Sequence, residues 1–127
     1  MTATETETIA RRYIDAVGAH RLDALDYLLD DGLVARLAGT PSTKGEWLQA
    51  LERLLPALVR NDIREVFVAG DRACVVYDFV TDTPAGTVLC AELLTVAAGR
   101  ILDIELLLDR VTFAPVNATL AERAAAR

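Results

Sequence analysis

The chain is short of the features that would tie it to nucleic acid, membrane or metal. Its 127 residues contain no basic run of the kind that grips a phosphate backbone, and the net charge is -6. An acidic surface repels nucleic acid and anionic lipid, so neither is expected as a partner. The N-terminus, Met1 to Thr8, has no basic start and no apolar centre, so it does not read as a secretory signal. No apolar run is long enough to span a bilayer, since Asp103 and Glu105 interrupt the best candidate, Ile101 to Leu108. A cytoplasmic location is the expectation. His20 is the only histidine, and the two cysteines, Cys74 and Cys90, lie in separate strand patterns. Buried small apolar side chains describe them better than a disulfide or a metal site. There is no phosphate-binding glycine loop, no nucleophile elbow and no paired-cysteine zinc spacing. Neither a metal nor a cofactor is expected.

What remains has the composition of a folded domain. Hydrophobic residues make up 53% and charged residues 25%, enough for one core in a chain of this length. The whole chain, 1–127, is expected to form a single domain with its core over 9–113 and loose ends at 1–7 and 115–127. Thr4 and Glu7 have the spacing of a capping box, and Ile9, Tyr13 and Val17 follow at helical intervals to a stop at Gly18. Leu22, Leu25 and Leu28 mark a short second helix, ended by Asp30-Asp31-Gly32. A short strand, Leu33 to Ala38, leads to a turn at Gly39 to Ser42. Thr43 and Glu46 form a second capping box, opening a helix with Trp47, Leu51, Leu54 and Leu58 on one face. Pro56 stops it or kinks it.

From Asn61 the pattern changes to strands. They are expected at Ile63–Val68, Ala73–Thr81, Thr87–Val96 and Ile101–Phe113, joined by short turns at Gly70-Asp71, Asp82–Gly86 and Ala98-Gly99. Short connections imply an antiparallel meander. Helices followed by strands indicate an α+β fold, with the helices covering one face of a strongly twisted sheet and leaving a pocket at the open end.

This order resembles the nuclear transport factor 2-like superfamily, and within it the SnoaL-like domains. The likeness is carried by Ala10–Val17, Leu22–Leu25 and Leu28–Asp31, by Lys44-Gly-Glu-Trp47, by Val68–Val75 around a turn, and by Glu92–Ile101 continuing to Asp109. It implies a cone-shaped curved sheet with about three N-terminal helices, the cystatin-like or SnoaL-like α+β barrel. The superfamily includes polyketide cyclases, ketosteroid isomerases and limonene-epoxide hydrolases, so the resemblance specifies fold far better than chemistry.

Carried over residue by residue, the resemblance is incomplete. Tyr13 falls where ketosteroid isomerases keep an oxyanion-hole tyrosine. Glu92 falls on their protonated aspartate if one turn is a residue shorter. Arg36 occupies the position of their general base, and arginine cannot abstract a proton. The epoxide-hydrolase set falls on Phe79, Thr81 and Leu106. Asp109 is the nearest match to the late aspartate of the cyclases, whose histidine partner has no counterpart here.

Read from the residues themselves, Glu92 stands out because it interrupts an apolar strand, Val88 to Val96. A carboxylate buried there is costly and tends to stay protonated, ready to donate a hydrogen bond to an oxyanion. The use of a neutral carboxylic acid in this way is known for ketosteroid isomerase. The plainer alternative turns Glu92 outward or pairs it with Arg36. The candidate catalytic residues are Glu92, Tyr13 and Asp109. The candidate ligand contacts are Arg36, Trp47, Tyr77, Phe79 and Leu106, although core packing explains the aromatic ones equally well. The expected function is an isomerase or cyclase acting on a hydrophobic carbonyl compound or epoxide. A non-catalytic pocket for an apolar ligand and a structural homodimer stand beside it. Both faces of the strands are apolar, so a homodimer through the sheet is expected in any of these cases.

Overall fold

A computed structural model describes residues 2–126. Two helices come first, α1 (Ala3–Gly18) and α2 (Leu22–Leu28), then strands β1 (Leu29–Leu37) and β2 (Thr40–Ser42). Helix α3 (Lys44–Leu54) passes through a 3₁₀ turn at Leu55–Ala57 into β3 (Leu58–Ala69). The meander continues with β4 (Arg72–Thr81), β5 (Thr87–Ala97) and β6 (Arg100–Leu108), and helix α4 (Arg110–Ala125) closes the chain. Six strands form one sheet in the order β2-β1-β6-β5-β4-β3. This is the expected α+β arrangement, but β1 pairs with β6 in parallel, so the sheet is mixed, and Thr40–Ser42, expected as a turn, and Leu58, expected on the third helix, belong to β2 and β3. The meander runs from one edge of the sheet to its middle, and β1 then adds to the free side of β6 in the same direction.

Register shifts bend the sheet. They occur in β3 between Leu58 and Arg60 and between Ile63 and Glu65, in β5 between Thr95 and Val96, and in β1 between Leu29 and Val34. Extra residues of this kind sharpen the right-handed twist and curl the strands. Val75, Tyr77 and Phe79 of β4 and Val88, Cys90, Glu92 and Leu94 of β5 are buried on the concave face. The intervening residues are intermediate or exposed, as the two-residue period of a strand requires.

The helices close the concave side. Helix α1 starts one step earlier than expected: its capping box is Thr2 with Glu5, not Thr4 with Glu7. The box at Thr43 and Glu46 opens α3 as expected. The end of α1 is locked onto β3 by the Asn61 amide, which donates to the Ile14 carbonyl at 3.1 Å, and by His20 Nε2, which donates to the Leu58 carbonyl at 2.7 Å. Contact here is close. A Cβ at Gly18 would lie 2.8 Å from the Asn61 nitrogen and 3.2 Å from its Cβ. Gly18→Ala should therefore destabilise the fold by about 1–3 kcal/mol by overpacking, measurable as a lower urea midpoint.

The C-terminal segment departs from expectation. The last strand stops at Leu108, and residues 110–125 form α4 where a strand end to Phe113 and then a frayed helix or loose tail from Pro115 are expected. Asp109 is the reason: its side chain accepts from the Val111 amide at 2.9 Å and from the Thr112 hydroxyl at 2.8 Å, which starts a helix. Phe113 and Val116 of α4 are buried, and Phe113 meets Phe79 of β4 with ring centroids 5.9 Å apart. Arg123 secures the far end by an ion pair with Asp82 at 2.9 Å. No helix among the described residues is long and apolar enough to cross a membrane.

Candidate functional site

The concave face and its helices enclose a cavity of about 640 Å³. Its floor is built from facing strands: Tyr77 of β4 pairs with Cys90 of β5, Val75 with Glu92, and Glu92 with Leu106 of β6. Tyr13 of α1 and Trp47 of α3 come from the helical side, and Val17, Leu51, Phe79 and Phe113 supply apolar wall. A volume of this size suits a small organic molecule, and the walls suit an apolar one.

One polar cluster lies in this lining, and all of it is buried. Trp47 Nε1 donates to the Tyr13 hydroxyl at 2.9 Å. The Tyr77 hydroxyl donates to Glu92 Oε1 in a short hydrogen bond. The Tyr13 hydroxyl faces the same carboxyl, near enough to favour its ionised form. Glu92 Oε2 is nevertheless without a hydrogen-bond partner among the described residues. Glu92 itself is only 3% exposed. An orphaned carboxyl oxygen at the wall of an apolar cavity is costly in the absence of a ligand.

Electrostatics follow from the burial. Loss of water pushes Glu92 up to about 7, and the hydrogen bond from Tyr77, with the nearby Tyr13 hydroxyl, opposes that rise only in part. Both acid and carboxylate forms are therefore present near neutral pH. Burial, and then the neighbouring Glu92 charge, raises Tyr13 and Tyr77 well above the ordinary phenol value, so both remain neutral donors. The Cys90 thiol beside them is pushed up to about 12, mainly by burial, and remains a thiol rather than a nucleophilic thiolate.

Six of the eight residues singled out from sequence meet here: Tyr13, Trp47, Tyr77, Phe79, Glu92 and Leu106 all line the cavity. Two do not. Arg36 does not reach the cavity, because β1 alternation buries Leu33 and Ala35 and sends Arg36 to the outer face. There its Nη1 pairs with Asp103 at 3.1 Å, both side chains 38% exposed, so it neither clamps a ligand nor partners Glu92. Asp109 is spent on capping α4. The Thr112 hydroxyl and the Val111 amide hold its carboxyl below the usual value, which is the reverse of what a catalytic acid needs. Arg53, Arg110 and Asn117 also line the cavity, and the sequence pattern does not single them out. Arg53 lies one turn beyond Ala50 on α3, a spacing visible in sequence. Arg110 and Asn117 belong to α4, which the strand pattern of Ile101–Phe113 conceals.

Comparison with known proteins places this geometry in a family. The SnoaL-like domain model matches residues 10–104. A protein of Kribbella flavida superposes with a TM-score of 0.79 at 23% identity, over 91% of this chain and 95% of its own. A second structure from that organism, described as a candidate ketosteroid isomerase, gives 0.74 at 15% identity over 84% and 79%. IdmH of Streptomyces antibioticus, described as a candidate polyketide cyclase, gives 0.73 at 16% identity over 89% and 98%. At these identities the likeness establishes fold alone. Among curated proteins none matches the sequence significantly.

Proposed function

Because this chain belongs to the SnoaL-like domain family, we propose that it holds an apolar carbonyl compound in the cavity and moves a proton beside its carbonyl, with Glu92 as the acid–base group. One observation carries the reading. Glu92 is a buried carboxyl held at Oε1 by Tyr77, with Oε2 unpartnered at the cavity wall and an ionisation midpoint near neutrality. A group titrating near the working pH is the most effective proton carrier there.

The chemistry divides among the residues of the cluster. In the carboxylate form, Glu92 takes a proton from the carbon next to the ligand carbonyl, and the bonding pair moves into the enolate. The Tyr13 hydroxyl donates to the enolate oxygen, and the Trp47 N–H bound to its oxygen makes it a better donor. Tyr77 fixes the carboxyl in place. Glu92, now protonated, returns the proton at the same carbon, which gives exchange or epimerisation, or at a conjugated carbon, which shifts the double bond. If the enolate carbon attacks an internal carbonyl instead, the new carbon–carbon bond closes the ring, the carbonyl pair moves onto its oxygen, and Glu92 gives its proton to that alkoxide and returns to the carboxylate.

The test does not require the natural substrate. The protein is incubated in D2O with a panel of apolar cyclic ketones and enones, and deuterium uptake beside the carbonyl is followed by NMR. Uptake that depends on Glu92 supports proton transfer. A second reading has its own support: Glu92 is the one carboxylate among the described residues lining the cavity. That favours a binding module without turnover, and saturable binding with no deuterium uptake would select it.

We also propose a homodimer through the outer sheet face. Leu89 (52%) and Leu107 (47%) are exposed there on the adjacent strands β5 and β6, and Phe67 (55%) is exposed on β3, two strands from β5, apolar surface that a partner would cover. Light scattering should give twice the 13.8 kDa chain mass, and Leu89→Arg should return the monomer. A monomeric wild type at micromolar concentration would reject this assembly.

A further inference from the structure

Apart from the buried Glu92, the charged side chains lining the cavity among the described residues are two arginines, Arg53 and Arg110. In a chain of net charge -6, six arginines sit against carboxylates: Arg11 with Glu7, Arg21 with Asp23, Arg36 with Asp103, Arg60 with Asp62, Arg64 with Asp78 and Arg123 with Asp82, whereas Arg12, Arg72 and Arg100, away from the cavity, make no ion pair among the described residues. The two arginines that line the cavity likewise have no carboxylate partner among the described residues. Arg53, exposed on α3, donates only to the neutral Asn117 amide oxygen at 3.2 Å. Arg110, exposed at the first turn of α4, has no side-chain hydrogen bond or ion pair among the described residues. The acid next to it in sequence is unavailable, because both Asp109 oxygens are engaged with the start of α4.

The cavity is thus polarised from end to end. A carboxyl with an unpartnered oxygen lies at the closed floor, apolar side chains form the walls, and two guanidinium groups without counter-ions stand at the open end. A wholly apolar ligand would use the walls and leave the mouth unanswered. A cationic ligand would meet repulsion on entry. An anionic head remaining at the mouth would satisfy both arginines while staying hydrated, so it would not bear the desolvation cost of a buried ion pair.

We propose that the ligand is an amphipathic acid, an apolar body whose carbonyl end lies against Glu92 and whose carboxylate rests between Arg53 and Arg110. This rests on the cavity being a ligand site, as proposed above, and adds the charge and orientation of what enters it. Carboxylate geometry suits two guanidinium forks approaching from α3 and α4, and the same contacts would tie α4 down over a bound molecule.

Two dyes of nearly the same apolar body separate charge from shape. N-phenyl-1-naphthylamine is neutral, and 8-anilino-1-naphthalenesulfonate carries a sulfonate that stands in for the carboxylate. Fluorescence titration is run on the wild type and on Arg53→Gln/Arg110→Gln. Ala114→Trp, a substitution at an exposed position on the cavity lining, blocks the mouth, and any signal surviving it arises on the outer sheet face and is subtracted. The anionic dye should bind the wild type about five- to tenfold more tightly than the neutral one, in line with two partly hydrated ion pairs. The double variant should lose that preference while its affinity for the neutral dye changes by less than about twofold. Equal binding of the two dyes by the wild type, or a parallel loss of both in the variant, overturns the anionic head and leaves the pocket intact. If Ala114→Trp removes no signal for either dye, the cavity is not a ligand site and both proposals fall.

Discussion

Glu92→Gln should lower deuterium uptake beside the ligand carbonyl by about 10²–10⁴-fold, the usual contribution of a positioned acid–base group. The substitution is nearly isosteric and keeps an oxygen for the Tyr77 hydroxyl to donate to, so the cavity should retain its shape. Ligand affinity should fall by much less than turnover, which would distinguish lost proton transfer from lost binding. The pH profile adds a check that a structural role would not reproduce. If the carboxylate is the base, exchange rises about tenfold per pH unit below the midpoint near 7 and levels off above it. Tyr77→Phe removes a hydrogen bond that favours the carboxylate, so the inflection should move to higher pH. Unchanged exchange in Glu92→Gln, or an inflection that ignores Tyr77, would remove Glu92 from the chemistry.

The site was legible in sequence where side-chain period and burial point the same way. Glu92 is conspicuous because a carboxyl in the apolar strand Val88–Val96 has few outlets, and β5 does bury it. Tyr13 shares the apolar stripe of α1 with Ile9 and Val17, and Trp47 follows a capping box, so both helices deliver them to the core. Arg36 was harder, because Leu33-Val-Ala-Arg-Leu37 is consistent with either parity. Whether Val34 and Arg36 or Leu33 and Ala35 face inward depends on pairing with β6, a partner more than sixty residues away in sequence (Arg36 opposite Glu105). The α1 start illustrates a degenerate signal, since Thr2–Glu5 and Thr4–Glu7 both have capping-box spacing. The earlier one forms, and within that helix the Thr6 hydroxyl donates to the Gly70 carbonyl at 2.8 Å. Asp109 misleads for a different reason. It ends an apolar run whose alternation continues on paper to Phe113, and Pro115 looks like a helix stop although it falls inside α4. Arg110 and Asn117, the part of the cavity mouth that α4 supplies, are hidden with that helix.

Stability should depend on pH through the same carboxyl, with a sign opposite to that of most acidic groups. Glu92 is raised from an ordinary 4.5 to about 7 in the folded chain. Between those values the folded state keeps a proton that the unfolded state has released, so stability falls as pH rises. The contribution is fully present below about 4.5, is lost progressively up to about 7, and is flat above. At about 1.4 kcal/mol per pH unit the loss is about 3 kcal/mol, large against the 5–15 kcal/mol that typically hold a domain together. Glutamine has no proton to release, so Glu92→Gln should be insensitive across this window. Urea unfolding at pH 5 and pH 8 should therefore show the variant gaining about 2 kcal/mol or slightly more relative to the wild type on going to the higher pH, since part of the loss has already occurred at pH 5. Ordinary paired carboxylates, such as Asp23 held low by Arg21, change in the other direction and at lower pH, and they cancel in the comparison because both proteins carry them. A variant that is inactive yet more stable at pH 8 is what a residue retained for function at the expense of the fold would produce. If wild type and variant keep a constant difference from pH 5 to pH 8, the carboxyl titrates normally, the cavity floor is wetter than its burial implies, and the case for Glu92 as a proton carrier near neutrality fails with it.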